Sequence, residues 1–145
     1  MTPERREWTE NGFLVTTDRA RFDVELVASF LANDSYWATD RTVEQERVAA
    51  DNSRCYSVIN VASGSQVGGA RAVTDWVSFA WIADVFVLPE FQGYGLGKFL
   101  VRCVTDDLAD VYRLFLGTRD AHGLYAQFGF VPAPRPERWM ERELD

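Results

Sequence analysis

The stretch Val85-Phe86-Val87-Leu88-Pro89-Glu90-Phe91-Gln92-Gly93-Tyr94-Gly95-Leu96-Gly97-Lys98 decides the fold. An apolar run of strand character ends at Pro89 and passes into a turn with glycine at alternate positions, where a helix opens. Gly93, Gly95 and Gly97 let the backbone take positive φ and remove the side chains that would hold a ligand off. Several amide N–H groups can then converge on one anion, and the helix dipole adds about half a positive charge at the same point. The stretch reads as a pyrophosphate cradle. Two other phosphate motifs fail on spacing. A Walker A loop has four residues between its glycines and Ser or Thr after its Lys, whereas three residues separate Gly93 from Gly97 and Phe99 follows Lys98. A dinucleotide fingerprint needs Gly-x-Gly-x-x-Gly at an early strand-to-helix turn, whereas this Gly-x-Gly-x-Gly lies past the midpoint, after a β-rich meander.

Downstream, Leu96, Phe99, Leu100, Cys103, Val104 and Leu108 form one stripe of an amphipathic helix. Residues 113–117 give the next strand and residues 121–128 a short helix, and closing strands are expected over 129–131 and 139–142, on either side of a Pro-rich loop at 132–136. Upstream, residues 13–17 read as a strand, ended by Asp18. Phe22, Leu26, Val27, Phe30 and Leu31 follow helical spacing, and a second helix is expected around residues 43–50. Residues 55–61 and 66–73 form a hairpin about the turn Ser63-Gly64-Ser65, and a β-rich run covers 77–88. The order is helices, a meander of three strands, then β-α-β-α-β, in which the crossover helix forces a parallel pair. With no repeat, linker or low-complexity tract, residues 1–145 read as one domain.

Two blocks carry a family resemblance. Gln92-Gly93-Tyr94-Gly95-Leu96-Gly97 matches the signature Q/R-x-x-G-x-G/A, and Ala121-His122-Gly123-Leu124-Tyr125-Ala126-Gln127-Phe128-Gly129-Phe130 is similar to the segment A-x-x-x-Y-x-x-x-G-F. In this order and separation, behind a helix-helix-hairpin arrangement, the chain resembles the GNAT family of acyl-CoA N-acyltransferases over nearly its whole length. The resemblance implies an α+β (α/β) fold with a mixed six- to seven-stranded sheet and about four helices. It also implies N-acetyltransferase chemistry with acetyl-CoA (coenzyme A) as co-substrate, no metal, and direct attack in a ternary complex. In such a fold the strand before the cradle parts from its neighbour at a bulge. The backbone of Val85, Phe86 and Val87 would then pair with the pantetheine arm, the amide near Val85 facing the thioester carbonyl. Residues 92–98, from Gln92 to Lys98, would hold the pyrophosphate. Tyr125 matches the tyrosine that protonates the departing thiolate. Thr118 stands where many members carry an Asn that bonds the pantetheine, a departure that puts this contact in question.

Asp84 interrupts the apolar run 80–88 beside the expected acetyl site, and a buried carboxylate needs a reason. It could be the general base acting through water, an anchor for a cationic amine, or the partner of a structural group such as Arg71, Arg113 or a loop amide. Asp75 is a further candidate for the amine, and Asp40 another, although each is better read as turn chemistry or solvated surface. Tyr36 and Trp37, large aromatics on a loop, read as a wall for the acceptor or as a cap on the core. His122 is a helix-start residue or a substrate contact. A second class of function stays open, a domain that binds acyl-CoA as sensor or scaffold without turnover.

Composition limits the partners. The chain has 145 residues, 47% of them hydrophobic and 14% aromatic, enough for a core that buries roughly two-thirds of the unfolded surface. Fifteen basic residues against 22 acidic leave a net charge of −7, a field that repels nucleic acid and anionic membrane and attracts a cation. A small-molecule or peptide amine is the expected acceptor. No apolar run has the length of a signal peptide or a membrane span, so a cytoplasmic setting is expected. Cys55 and Cys103 are too few for a disulfide framework or a zinc site and read as small core residues. A homodimer is compatible with the resemblance, and no residue decides it.

Overall fold

In the computed structural model, which describes residues 3–35 and 40–144, the first element is set by a turn. Asn11 (φ 48°) and Gly12 (φ 84°) both take positive φ, as a two-residue hairpin turn demands. They join β1 (Glu7–Glu10) to β2 (Phe13–Thr16). The sequence reading begins the sheet only at residue 13. Asp23 caps α1 (Val24–Asp34) by accepting the Leu26 N–H, and Thr42 with Gln45 forms a reciprocal capping box on α2 (Val43–Asp51). The meander follows as β3 (Arg54–Asn60), β4 (Ser65–Thr74) and β5 (Phe79–Val87). Then come α3 (Leu96–Asp107), β6 (Arg113–Phe115) and α4 (His122–Ala126).

The six strands lie in the order β1-β2-β3-β4-β5-β6. All neighbours are antiparallel except β5 and β6, which the α3 crossover makes parallel. Each face of the sheet has its own core. On one, Leu96, Phe99, Leu100, Cys103 and Val104 of α3 pack on Val58, Val67, Ala80 and Ile82. On the other, Val24, Val27, Phe30 and Leu31 of α1 pack with Cys55 and Phe86, the Phe30 and Phe86 rings stacking at 4.7 Å.

The expected closing strands at 129–131 and 139–142 do not form. Gly129 sits at φ 88°, and Pro132, Pro134 and Pro136 remove N–H donors on which a ladder depends. Trp139 stands edge-on to Phe115 at 4.9 Å, and residues 131–144 are exposed. Among the described residues the sheet therefore has six strands.

Candidate active site

The functional stretch begins inside β5. Gly69 faces Phe86 and Arg71 faces Ala83 across the β4–β5 ladder, so Asp84 and Val85 together oppose Ala70. This is a β-bulge, and Asp84 adopts φ 54° within it, a left-handed conformation that costs a non-glycine residue about 1–3 kcal/mol. The bulge reverses side-chain parity. Ala80 and Ile82 face the α3 core, whereas Phe86 joins the α1 core and Val85 and Val87 turn to the α3 side. In a regular strand the alternation would have driven the Asp84 carboxylate in among the α3 apolar residues.

Beside the bulge the sheet opens. Phe79, Ala80 and Trp81 pair with Arg113, Leu114 and Phe115, and the β5–β6 register ends there. Beyond Trp81 this edge of β5 meets no strand among the described residues. Its backbone groups can therefore pair with an extended guest as with an added strand.

β5 passes to α3 through one 3-10 turn at Pro89–Phe91. The Gln92 side chain reaches back, Nε2 donating to the Val87 carbonyl at 3.1 Å. Gly93 (φ 92°) and Gly95 (φ 78°) are left-handed, and Gly95 is the N-cap of α3 with no side chain bonding the first turn. The amides of Leu96, Gly97 and Lys98 thus start the helix without a capping oxygen, and no acidic side chain stands in that turn. A Cβ at Gly93 or Gly95 would meet nothing within 4 Å. With Gln92, Tyr94 and Lys98 exposed around it, the turn has the donors, the dipole and the open space an anion needs.

α4 lies against this helix start, since a Cβ on Gly97 would be 3.8 Å from Leu124 Cδ2. Thr118 Oγ1 accepts the Ala121 N–H at 3.0 Å, so its hydroxyl helps to fix the entry of α4. Tyr125 follows within α4, 8% exposed, its ring edge-on to Phe130 at 5.8 Å. His122 is exposed at the first position of that helix.

The opposite face of the bulge holds a buried charge cluster. Asp84 Oδ2 accepts from Arg71 Nε and from Arg41 Nη1, both at 2.7 Å. Arg41 Nη1 also lies 2.7 Å from Glu46 Oε2, Arg71 Nε is 3.9 Å from Glu46 Oε1, and Arg71 Nη1 donates to Ser53 Oγ at 3.1 Å. The side chains of Asp84 and Glu46 are 1% and 0% exposed. Two carboxylates and two guanidiniums balance in formal charge, and removing one member of such a buried set costs about 3–5 kcal/mol. Burial pushes the Glu46 carboxyl upward against the pull of its Arg41 hydrogen bond. Burial lowers the Arg41 guanidinium, but its bonds to Glu46 and Asp84 more than offset this and leave it raised. Arg71 is thus a structural partner of Asp84, one of the alternatives open at the sequence level.

Sequence reasoning missed Arg41 and Glu46. The only apolar signal in α2 pointed elsewhere, because Val43 and Val48 are 41% and 55% exposed while Glu46 and Ala50 are fully buried. Asp75 is exposed and engaged in the β4–β5 turn, where it accepts the N–H groups of Val77 and Ser78 at 2.9 and 2.8 Å. Those bonds, with that of the Ser78 hydroxyl first among them, hold its carboxyl well below the usual range. Asp40 is exposed. Tyr36 and Trp37 lie outside the described residues.

The family model of the Acetyltransferase (GNAT) family matches residues 24–130. A crystal structure of a GNAT-family protein from Xanthomonas campestris pv. campestris is 38% identical, with a TM-score of 0.87, covering 94% of this chain and 96% of that one. A Gibberella zeae protein named as an acetyltransferase is 28% identical over 84% of this chain and 80% of its own length. The N-acetyltransferase ycf52 of Porphyra purpurea is 30% identical over 86% of this chain and 84% of its own. The mixed six-stranded sheet with its four α-helices is thus that of a known fold, and this chain belongs to the GNAT acetyltransferase family.

Proposed function

We propose that the protein transfers an acetyl group from acetyl-CoA to a primary amine of a small molecule or peptide. The observation that carries this reading is the continuity of three features: the bulge at Asp84 and Val85, the opened edge of β5, and the left-handed Gly93 and Gly95 at the start of α3. A pantetheine arm bonded along Val85 and Val87 would bring its pyrophosphate to the amides of Leu96, Gly97 and Lys98. The Val85 amide would meet the thioester carbonyl, where a preorganised donor lowers the barrier by about 3–4 kcal/mol. As the amine nitrogen bonds to the acetyl carbon and the carbon–sulfur bond breaks, Tyr125 gives its phenolic proton to the thiolate and regains one from the solvent, which takes up the proton lost by the amine.

The reading assigns no dedicated base. Asp84, a candidate for that role, is already bonded by two guanidiniums. Thr118, engaged at Ala121, would reach the pantetheine only through water. A cationic acceptor suits the net charge of −7, as does a cytoplasmic setting without nucleic acid or membrane partners. Among the described residues no helix is long and apolar enough to cross a membrane, and no group of three or more His, Cys, Asp or Glu is placed to hold a metal.

Two measurements test the proposal. Calorimetric titration should show CoA and acetyl-CoA binding, and a thiol-release assay over a panel of primary amines should show turnover. Coenzyme binding without turnover on any amine would favour the alternative, a domain that senses or scaffolds with acyl-CoA. No binding of either coenzyme would end both readings.

A further inference from the structure

We infer that the Arg41–Asp84–Arg71 cluster is a positioning device for the bulge, so that Asp84 acts by aiming the Val85 amide while Arg71 holds it from β4 and Arg41 from just ahead of α2. The inference rests on the coenzyme reading above and assigns roles that the reading leaves open.

Three observations carry it. Asp84 has to stay left-handed at φ 54° for the bulge to exist, and nothing in an Asp backbone prefers that region strongly enough to hold it unaided. Its side chain is gripped from two directions. Arg71 reaches it from the neighbouring strand, where it pairs with Ala83 immediately before the bulge. Arg41 reaches it from outside the sheet, just ahead of α2. Finally, Val85 is the next residue in the chain, so the peptide that carries its N–H also carries the Asp84 carbonyl. Rotation of Asp84 out of its left-handed state turns that N–H directly.

Glu46 completes the device from within α2. It shares Arg41 Nη1 with Asp84 and is wholly buried, and its Oε1 has no hydrogen-bond partner among the described residues. Its Oε2 holds Arg41 from the α2 side. A general base at Asp84 would differ from such a device, because its loss would alter proton removal and leave the thioester carbonyl as it was.

The test needs no acceptor. The infrared carbonyl band of carbonyl-13C-labelled acetyl-CoA, bound to the full chain, reads the hydrogen bond to the thioester oxygen. In the unaltered protein the band should lie below its position in solution. In Asp84→Asn and Arg41→Lys it should return at least halfway toward the solution value, with CoA affinity by calorimetry within about threefold of the original. Arg41→Lys keeps the charge and carries the test if Asp84→Asn does not fold. A band that stays fully shifted in the variant that binds would overturn the positioning role, and so would an unshifted band in the unaltered protein that binds CoA. If the unaltered protein binds no CoA, it is the coenzyme reading that fails.

Discussion

A methyl group placed on Gly68 would lie 2.7 Å from the carbonyl oxygen of Phe86. β4 therefore runs against the end of β5 more closely than any side chain permits, and Val58 Cγ2 presses from the other neighbouring strand at 3.3 Å. The obstacle is backbone, which yields only if the ladder moves. Gly68→Ala should destabilise the fold by about 1–3 kcal/mol, the usual cost of overpacking, and should weaken CoA affinity by shifting Phe86 and Val87. Urea denaturation and calorimetry together check this. Full stability and affinity in the variant would mean that β4 does not set the path of β5.

Gly95 presents the opposite case. Nothing lies within 4 Å of a Cβ there, but its φ of 78° is left-handed. Gly95→Val would force a β-branched residue into that region at about 1–2 kcal/mol or more, or would swing the first turn of α3 out of line. CoA affinity is expected to fall at least tenfold while the melting transition stays cooperative. Affinity equal to that of the parent protein would contradict the cradle.

The glycine turn that opens α3 could be read from sequence because it depends on residue types at fixed spacing along a short segment. The same holds for α3, whose stripe Leu96, Phe99, Leu100, Cys103 and Val104 is buried as expected. β1 was missed although the Asn11-Gly12 turn signals a hairpin, since Glu7, Trp8, Thr9 and Glu10 offer little apolar alternation. The final strands were expected on local apolar content, which cannot show whether an edge is available to pair with. Asp84 could be singled out as a buried acid, but its pairing with Arg41, 43 positions away, is a product of tertiary packing. So is the burial of Glu46 on a helix whose valines point to solvent.

Tyr125 is 8% exposed and packed edge-on to Phe130, a ring contact that Phe would keep. Tyr125→Phe should leave stability and acetyl-CoA affinity within about twofold while kcat falls by about 100- to 10,000-fold, the range for loss of a positioned acid or base. The measurement is steady-state turnover on whichever amine the panel identifies, beside a calorimetric Kd for acetyl-CoA. Unchanged kcat would remove the acid role from Tyr125.

Both thiols should be silent in that assay. Burial pushes Cys55 up to about 11, and the Cys55 Sγ–H donates to the Ala50 carbonyl at 3.3 Å. Burial pushes Cys103 up to about 12, inside the α3 core. Because the fold favours the neutral thiol, the associated stability is fully present below the unfolded thiol value of about 8.5 and is lost as pH rises through 11 to 12. Since the thiolate is the reactive form, an aromatic disulfide reagent at pH 8 should titrate no thiol in the native protein and two in denaturant, one for each cysteine. Every equivalent released with acetyl-CoA and amine present then comes from the coenzyme. Rapid labelling of either cysteine in the folded chain would show that its core opens to solvent, and that the α3 or α1 packing is looser than the burial of Cys103 or Cys55 implies.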